Sequence, residues 1–88
     1  MYCEVRGEKT FYSIGTGPIK DSQPNVVFLH GAGMDHSVFV LPSRYFARHG
    51  YNVFAFDYPG HGRSDGKALA SIETIADWVS DAMEPLNI

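Results

Sequence analysis

The sequence predicts an α/β fold in which an antiparallel hairpin is followed by a parallel β-α-β-α unit. Three observations carry that expectation. Val26-Val27-Phe28-Leu29 is a short unbroken apolar run beyond a stretch of turn formers, the pattern of a strand covered on both faces. Val38, Leu41, Tyr45 and Phe46 then recur at helical spacing, and Tyr51 with Val53 to Phe56 forms a second β-rich, aromatic run. Strand, helix and strand within about 30 residues make a βαβ unit, and such a crossover implies parallel pairing.

Each element follows from local chemistry. Tyr2 to Val5 and Lys9 to Ile14 read as two short strands with Gly7 at the turn between them. Gly15 to Pro24 is a cluster of turn formers without period, hence a loop. The Val26 to Leu29 run is expected to be a central strand. The helix that follows should start near Pro42, which lacks an amide hydrogen and suits a first turn, and should end at Gly50. Asp57 to Ala70, rich in Gly, Pro, Ser and Asp, is an exposed loop at the carboxyl end of the second parallel strand. Ser71 is an N-cap, Glu73 sits where the helix dipole favours an acid, and Ile72, Ile75, Ala76, Val79, Met83 and Leu86 keep helical spacing. A helix from about Ile72 to Glu84 results, closed by Pro85, with Trp78 and Met83 packing inward.

Composition bounds the function. With 88 residues the chain is at most one small domain, and 44% hydrophobic with 19% charged is a folding composition and not that of a disordered tail. A net charge of −3 with no basic run argues against nucleic acid as a partner. No apolar run exceeds four residues, against about 20 for a spanning helix, so no membrane role is expected. Cys3 is the lone cysteine and reads as a small hydrophobe in an edge strand; with a charged start and no apolar leader, a soluble, cytoplasmic protein is expected.

Chemistry concentrates in two loops. His30-Gly31-Ala32-Gly33-Met34-Asp35-His36 follows the first parallel strand, where backbone amides can face the crevice in which open α/β sheets bind ligands. Asp57-Tyr58-Pro59-Gly60-His61-Gly62-Arg63-Ser64 follows the second. Together, and in this order of elements, they resemble the α/β-hydrolase family, with its His-Gly loop after the third strand and its Asp-x-x-Gly-x-Gly-x-Ser loop after the fourth. The resemblance covers nearly the whole chain.

The resemblance implies hydrolysis of an ester, lactone, thioester or related bond by a Ser-Asp/Glu-His triad, on a small-molecule substrate and without a cofactor. It casts the Ala32 amide as an oxyanion donor and Gly33 as the candidate for a second amide. Met34, His36 and Phe39 are candidates for the substrate entrance. His30, Gly31, Asp57, Gly60, Gly62 and Ser64 are read as residues that shape and brace the loops. The family's nucleophile follows a fifth strand, beyond Ile88, so residues 1–88 are expected to be a partial domain, the N-terminal half of the fold, inactive alone. The alternative is a non-catalytic binding or self-assembling module on the same half-fold.

Two competing patterns are weighed on mechanics. Gly62-Arg63-Ser64-Asp65-Gly66 is a literal Gly-x-Ser-x-Gly, but a nucleophile elbow needs a strand running straight in and a helix straight out. Asp57 to His61 and Lys67 to Ala70 intervene, so Ser64 is read as a loop brace. His30, His36, His61, Asp35 and Asp57 gather at one edge, yet their spacing matches no metal-ligand motif and no metal is expected. In the resembled fold a fifth strand lies beside the third. Without it, Asn25 to His30 would have an open ladder available for self-association or a complementing chain.

Overall fold

The structure, a computed structural model, describes residues 1–88. Its elements are β1 (Tyr2–Val5), β2 (Glu8–Ser13), β3 (Asn25–Leu29), α1 (Val40–Arg48), β4 (Asn52–Phe56) and α2 (Ile72–Met83), with single 3-10 turns at His36–Phe39 and Glu84–Leu86. The strands form one sheet in the order β1-β2-β4-β3. β1 and β2 are an antiparallel hairpin whose two-residue turn, Arg6 and Gly7, has positive φ at both positions, as a type I′ turn requires. β2 meets β4 antiparallel through Tyr12↔Phe56 and Ser13↔Ala55, and β3 runs parallel to β4 from Asn25↔Asn52 to Leu29↔Phe56. The expected α/β class and its hairpin, parallel pair and two helices are all present. Pro42 lies in the first turn of α1, and Ser71 caps α2 in a reciprocal box with Thr74.

The open ladder expected along Asn25 to His30 is present, whereas the central position read from the apolar run alone is not. β3 is the rim of the sheet, paired only with β4, and its Val26, Val27 and Phe28 are half-buried. The strand buried at every residue is β4, because β2 and β3 occupy its two ladders and a helix covers each face. A four-residue apolar run looks the same in either position. It reports coverage of faces, not the number of neighbouring strands.

Strand alternation sorts the packing. Val27, Phe54 and Phe56 point to the α2 side, where the core cluster holds Val5, Tyr12, Tyr58, Trp78 and Ala82. Trp78 stands nearly perpendicular to Phe56 and to Tyr58, at 5.9 Å from each ring. Phe28 and Ala55 point to the other side, where Phe28 stacks on Phe39 at 4.9 Å and meets Phe46 of α1 at 5.7 Å. Leu41 and Tyr45 on the outer face of α1, and Val38 in the 3-10 turn before it, are exposed. Asn52 pins the loop before β3: its side chain accepts from the Lys20 amide and donates to the Lys20 carbonyl and Asn25. No helix is long and apolar enough to cross a membrane.

Candidate active site

Because β3 and β4 are parallel and in register, the loops after Leu29 and Phe56 leave the same edge side by side. Two imidazoles join them reciprocally. His30, buried, donates from Nδ1 to the Gly31 carbonyl at 2.7 Å, while its Nε2 accepts the Tyr58 amide of the other loop at 3.2 Å. His61 donates from Nδ1 to the Pro59 carbonyl at 3.1 Å, and its Nε2 accepts the Gly33 amide of the first loop at 3.2 Å. A carbonyl can only accept and an amide can only donate, so both rings are neutral and carry their hydrogen on Nδ1. The rings lie 5.2 Å apart.

Asp57 organises the second loop. It is fully buried, and its carboxylate accepts the His36 amide at 2.6 Å, the Arg63 amide at 2.9 Å and the His36 Nδ1 hydrogen at 3.0 Å. These donors offset the cost of removing a carboxylate from water. Gly62 makes the approach feasible: a Cβ there would overlap the Asp57 carboxylate, and its φ is +52°. Ser64 ties the loop to β2, its hydroxyl donating to the Asp57 carbonyl at 2.7 Å and accepting the Phe11 amide at 2.9 Å.

These contacts bear on the two patterns weighed in the sequence and on a third arrangement that only the structure brings together. Ser64 is buried, meets no imidazole and lies well before the start of α2 at Ile72, so the Gly-x-Ser-x-Gly pattern here is not an elbow. His36 and Asp57 have the base-and-orienter arrangement of a hydrolytic dyad, yet no hydroxyl or thiol is bonded to His36. Ligand atoms of Asp35, His36 and Asp57 lie within 4.8 Å of one another, but both Asp57 oxygens hold loop donors and Asp35 is taken by Ser37. The Ser37 hydroxyl, then its amide, hold the Asp35 carboxyl below the usual aspartate value.

Ala32 sits on a tight turn. The Met34 amide donates to the Gly31 carbonyl at 3.2 Å and Gly33 has φ +75°, which makes Gly31 to Met34 a type II turn with a residue at its third position that tolerates positive φ. The Gly33 amide is engaged by His61, whereas the Ala32 amide has no partner within the chain. Ala32 borders a cleft of about 440 Å³ together with His30, Tyr58, His61, Leu69 and Ile72. Tyr58, Leu69 and Ile72 escaped the sequence reading, because nothing in a loop tyrosine or a first-turn isoleucine marks which cleft it faces.

A second, more open cleft of about 640 Å³ is lined by Gly33, Met34, Val38, Gly60, His61 and Gly62, among others. Of the three residues read as lining a substrate entrance, Met34 borders this cleft and His36 and Phe39 line neither. His36 is drawn onto Asp57 and packs on the Phe11 ring at 4.6 Å, and the Phe39 ring finds its apolar partner in Phe28.

This sheet order and this pair of loops place the chain among α/β-hydrolases, and comparison with known proteins agrees. Residues 20–87 match the family model described as serine aminopeptidase, S33, and the chain belongs to that family. A Mycoplasma pneumoniae protein named "Putative esterase/lipase 2" is 33% identical over 49 residues, which is 56% of this chain and 18% of that protein. The enol-lactonase of Burkholderia xenovorans LB400 superposes with a TM-score of 0.79 at 28% identity, covering 100% of this chain and 34% of its own. An esterase of Exiguobacterium antarcticum gives 0.76 at 27% identity, covering 99% and 31%. The chain thus spans between about a fifth and a third of the length of these relatives.

Proposed function

We propose that this chain forms the charge-stabilising side of a hydrolase acting on an ester, lactone, thioester or related bond of a small molecule. The Ala32 amide is the donor to the oxyanion. The observation that carries this reading is that Ala32 keeps its N–H unpartnered on a braced turn beside a cleft at the carboxyl edge of the parallel strands. Gly33 is left out of the donor set because His61 takes its amide. Met34 borders the route in. The family match and the esterase and enol-lactonase neighbours support the reaction class. A cytoplasmic setting belongs to the same reading, since a lone free cysteine, Cys3, fits a reducing compartment.

The chain by itself supplies no activated nucleophile, since Ser64 is held by two hydrogen bonds. The purified chain is therefore expected to leave a p-nitrophenyl ester at the no-protein rate, and turnover abolished by Ser64→Ala would overturn that. In a hydrolase carrying these residues together with its nucleophile, Ala32→Pro removes one amide hydrogen while Pro suits the second position of a type II turn. A fall in kcat of about 10²- to 10³-fold at little-changed KM is expected. Unchanged kcat would refute the assignment.

A second reading, a self-assembling module, is favoured by one observation: β3 has an open ladder with Leu29 exposed at its end. It requires a defined oligomer or a complementing chain. A monodisperse monomer in light scattering, with rapid amide exchange along β3, excludes it.

A further inference from the structure

Resting on the reading of Ala32 as the oxyanion donor, we propose that His61 is a positioning residue for that amide, acting through the Gly33 N–H. The two peptide planes that flank Ala32 are fixed from opposite sides. The Gly31 carbonyl, which shares a rigid plane with the Ala32 N–H, accepts from both His30 Nδ1 and the Met34 amide. The next plane joins the Ala32 carbonyl to the Gly33 N–H, and His61 Nε2 is the one group bonded to it.

A turn with glycine at its third position can exchange type II for type I by flipping that second plane, which alters ψ of Ala32 and φ of Gly33. His61 opposes the flip, because a flipped Gly33 N–H would leave Nε2. The same bond removes Gly33 as a competing donor, so that negative charge in the cleft meets a single amide, and it keeps the Ala32 carbonyl, which shares the Gly33 plane, on one side of the turn. His61 can do this because its own Nδ1 is anchored on Pro59, within a loop tied through Asp57 and Ser64 to the sheet. It also borders both clefts and so forms the wall between the apolar one at Ala32 and the open one at Met34.

The test uses ¹⁵N-labelled 88-residue chain. A scalar coupling across the hydrogen bond between the Gly33 amide nitrogen and His61 Nε2 is expected, and its absence would overturn the proposal without any variant. His61→Phe keeps a ring but no acceptor; it should speed Gly33 amide exchange by roughly tenfold or more and broaden or shift the Ala32 amide, with the amides of Val53 to Phe56 unmoved. His61→Gln places an acceptor oxygen near the lost nitrogen and should restore both signals. Ala32 and Gly33 amides in His61→Phe identical to the parent would sink the idea.

In a hydrolase carrying this chain with its nucleophile, His61→Phe should lower kcat by roughly tenfold at constant KM and add nothing in an Ala32→Pro background. Independent, additive penalties would overturn the role of His61 and leave Ala32 as the donor. An Ala32→Pro variant of full activity would remove the oxyanion reading while the Gly33 to His61 bond stands.

Discussion

The loop after β3 and the loop after β4 leave the same sheet edge, yet they are built on opposite principles. In the first, Gly31, Ala32, Gly33 and Met34 are all exposed, and one internal backbone bond closes the turn. In the second, Asp57, Tyr58 and Ser64 are buried, and their contacts reach β2, the His36 turn and the first loop itself. The second loop is framework: it holds its shape through buried polar contacts and imposes shape on its neighbour. The first keeps an amide free because others do the holding. Being exposed, the Ala32 amide can be met by solvent, so leaving it without a partner in the chain carries little cost.

Substitutions in the two loops should therefore differ in kind. The largest expected effect is Asp57→Ala, which removes a fully buried side chain and orphans the part-buried His36 and Arg63 amides together, and should cost about 3–5 kcal/mol. In a domain of this size that approaches the whole stability, so loss of the cooperative urea transition in far-UV circular dichroism is expected. Gly62→Ala forces a side chain onto the Asp57 carboxylate at positive φ and should cost about 2–3 kcal/mol in the same titration.

Ser64→Ala orphans the Phe11 amide and the Asp57 carbonyl and should cost about 1–2 kcal/mol. Ala32→Pro, by contrast, should move stability by less than about 0.5 kcal/mol, which marks chemistry and framework as separate. Equal losses for these two would erase the distinction.

The smallest effect is Asp35→Ala, which removes the side chain that accepts from Ser37 at the start of the 3-10 turn. The folded protein holds the Asp35 carboxyl below its usual value, first through the Ser37 hydroxyl and then through its amide. Its contribution is thus complete above about pH 4 and disappears as pH falls through the depressed folded value. Solvent screening limits it to a few tenths of a kcal/mol. Parent and variant stabilities measured against pH should differ near neutrality and converge in acid.

Much of the fold was legible because its signals are local. β1, β4 and α2 lie within a residue of their expected bounds, since alternation, apolar runs and the Ser71 cap act over a few residues. The rim position of β3 was legible only through the resemblance, which puts a fifth strand beside it; the apolar run alone does not give strand order, because which ladders are filled is a property of the sheet. In the site, the bracing by Asp57 and Ser64 follows from their loop, whereas its partners, a β2 amide and the His36 ring, come from elsewhere in the chain. His61 was visible only as one more imidazole near an edge. The pairing of a Gly-His-Gly loop with a His-Gly loop was the available clue, since flanking glycines let a ring cross to the neighbouring backbone.

The position of β4 also has a consequence for synthesis. β2 and β3 are neighbours in sequence but do not pair with each other; each pairs with β4, which is made last of these four. On the ribosome neither can complete its pairing until Phe56 has cleared the exit tunnel, so the nascent chain passes through a stage with a finished hairpin and a lone apolar strand. Pulse labelling during refolding should show protection at Ser13 and at Val26 to Leu29 arriving together, as one closing event.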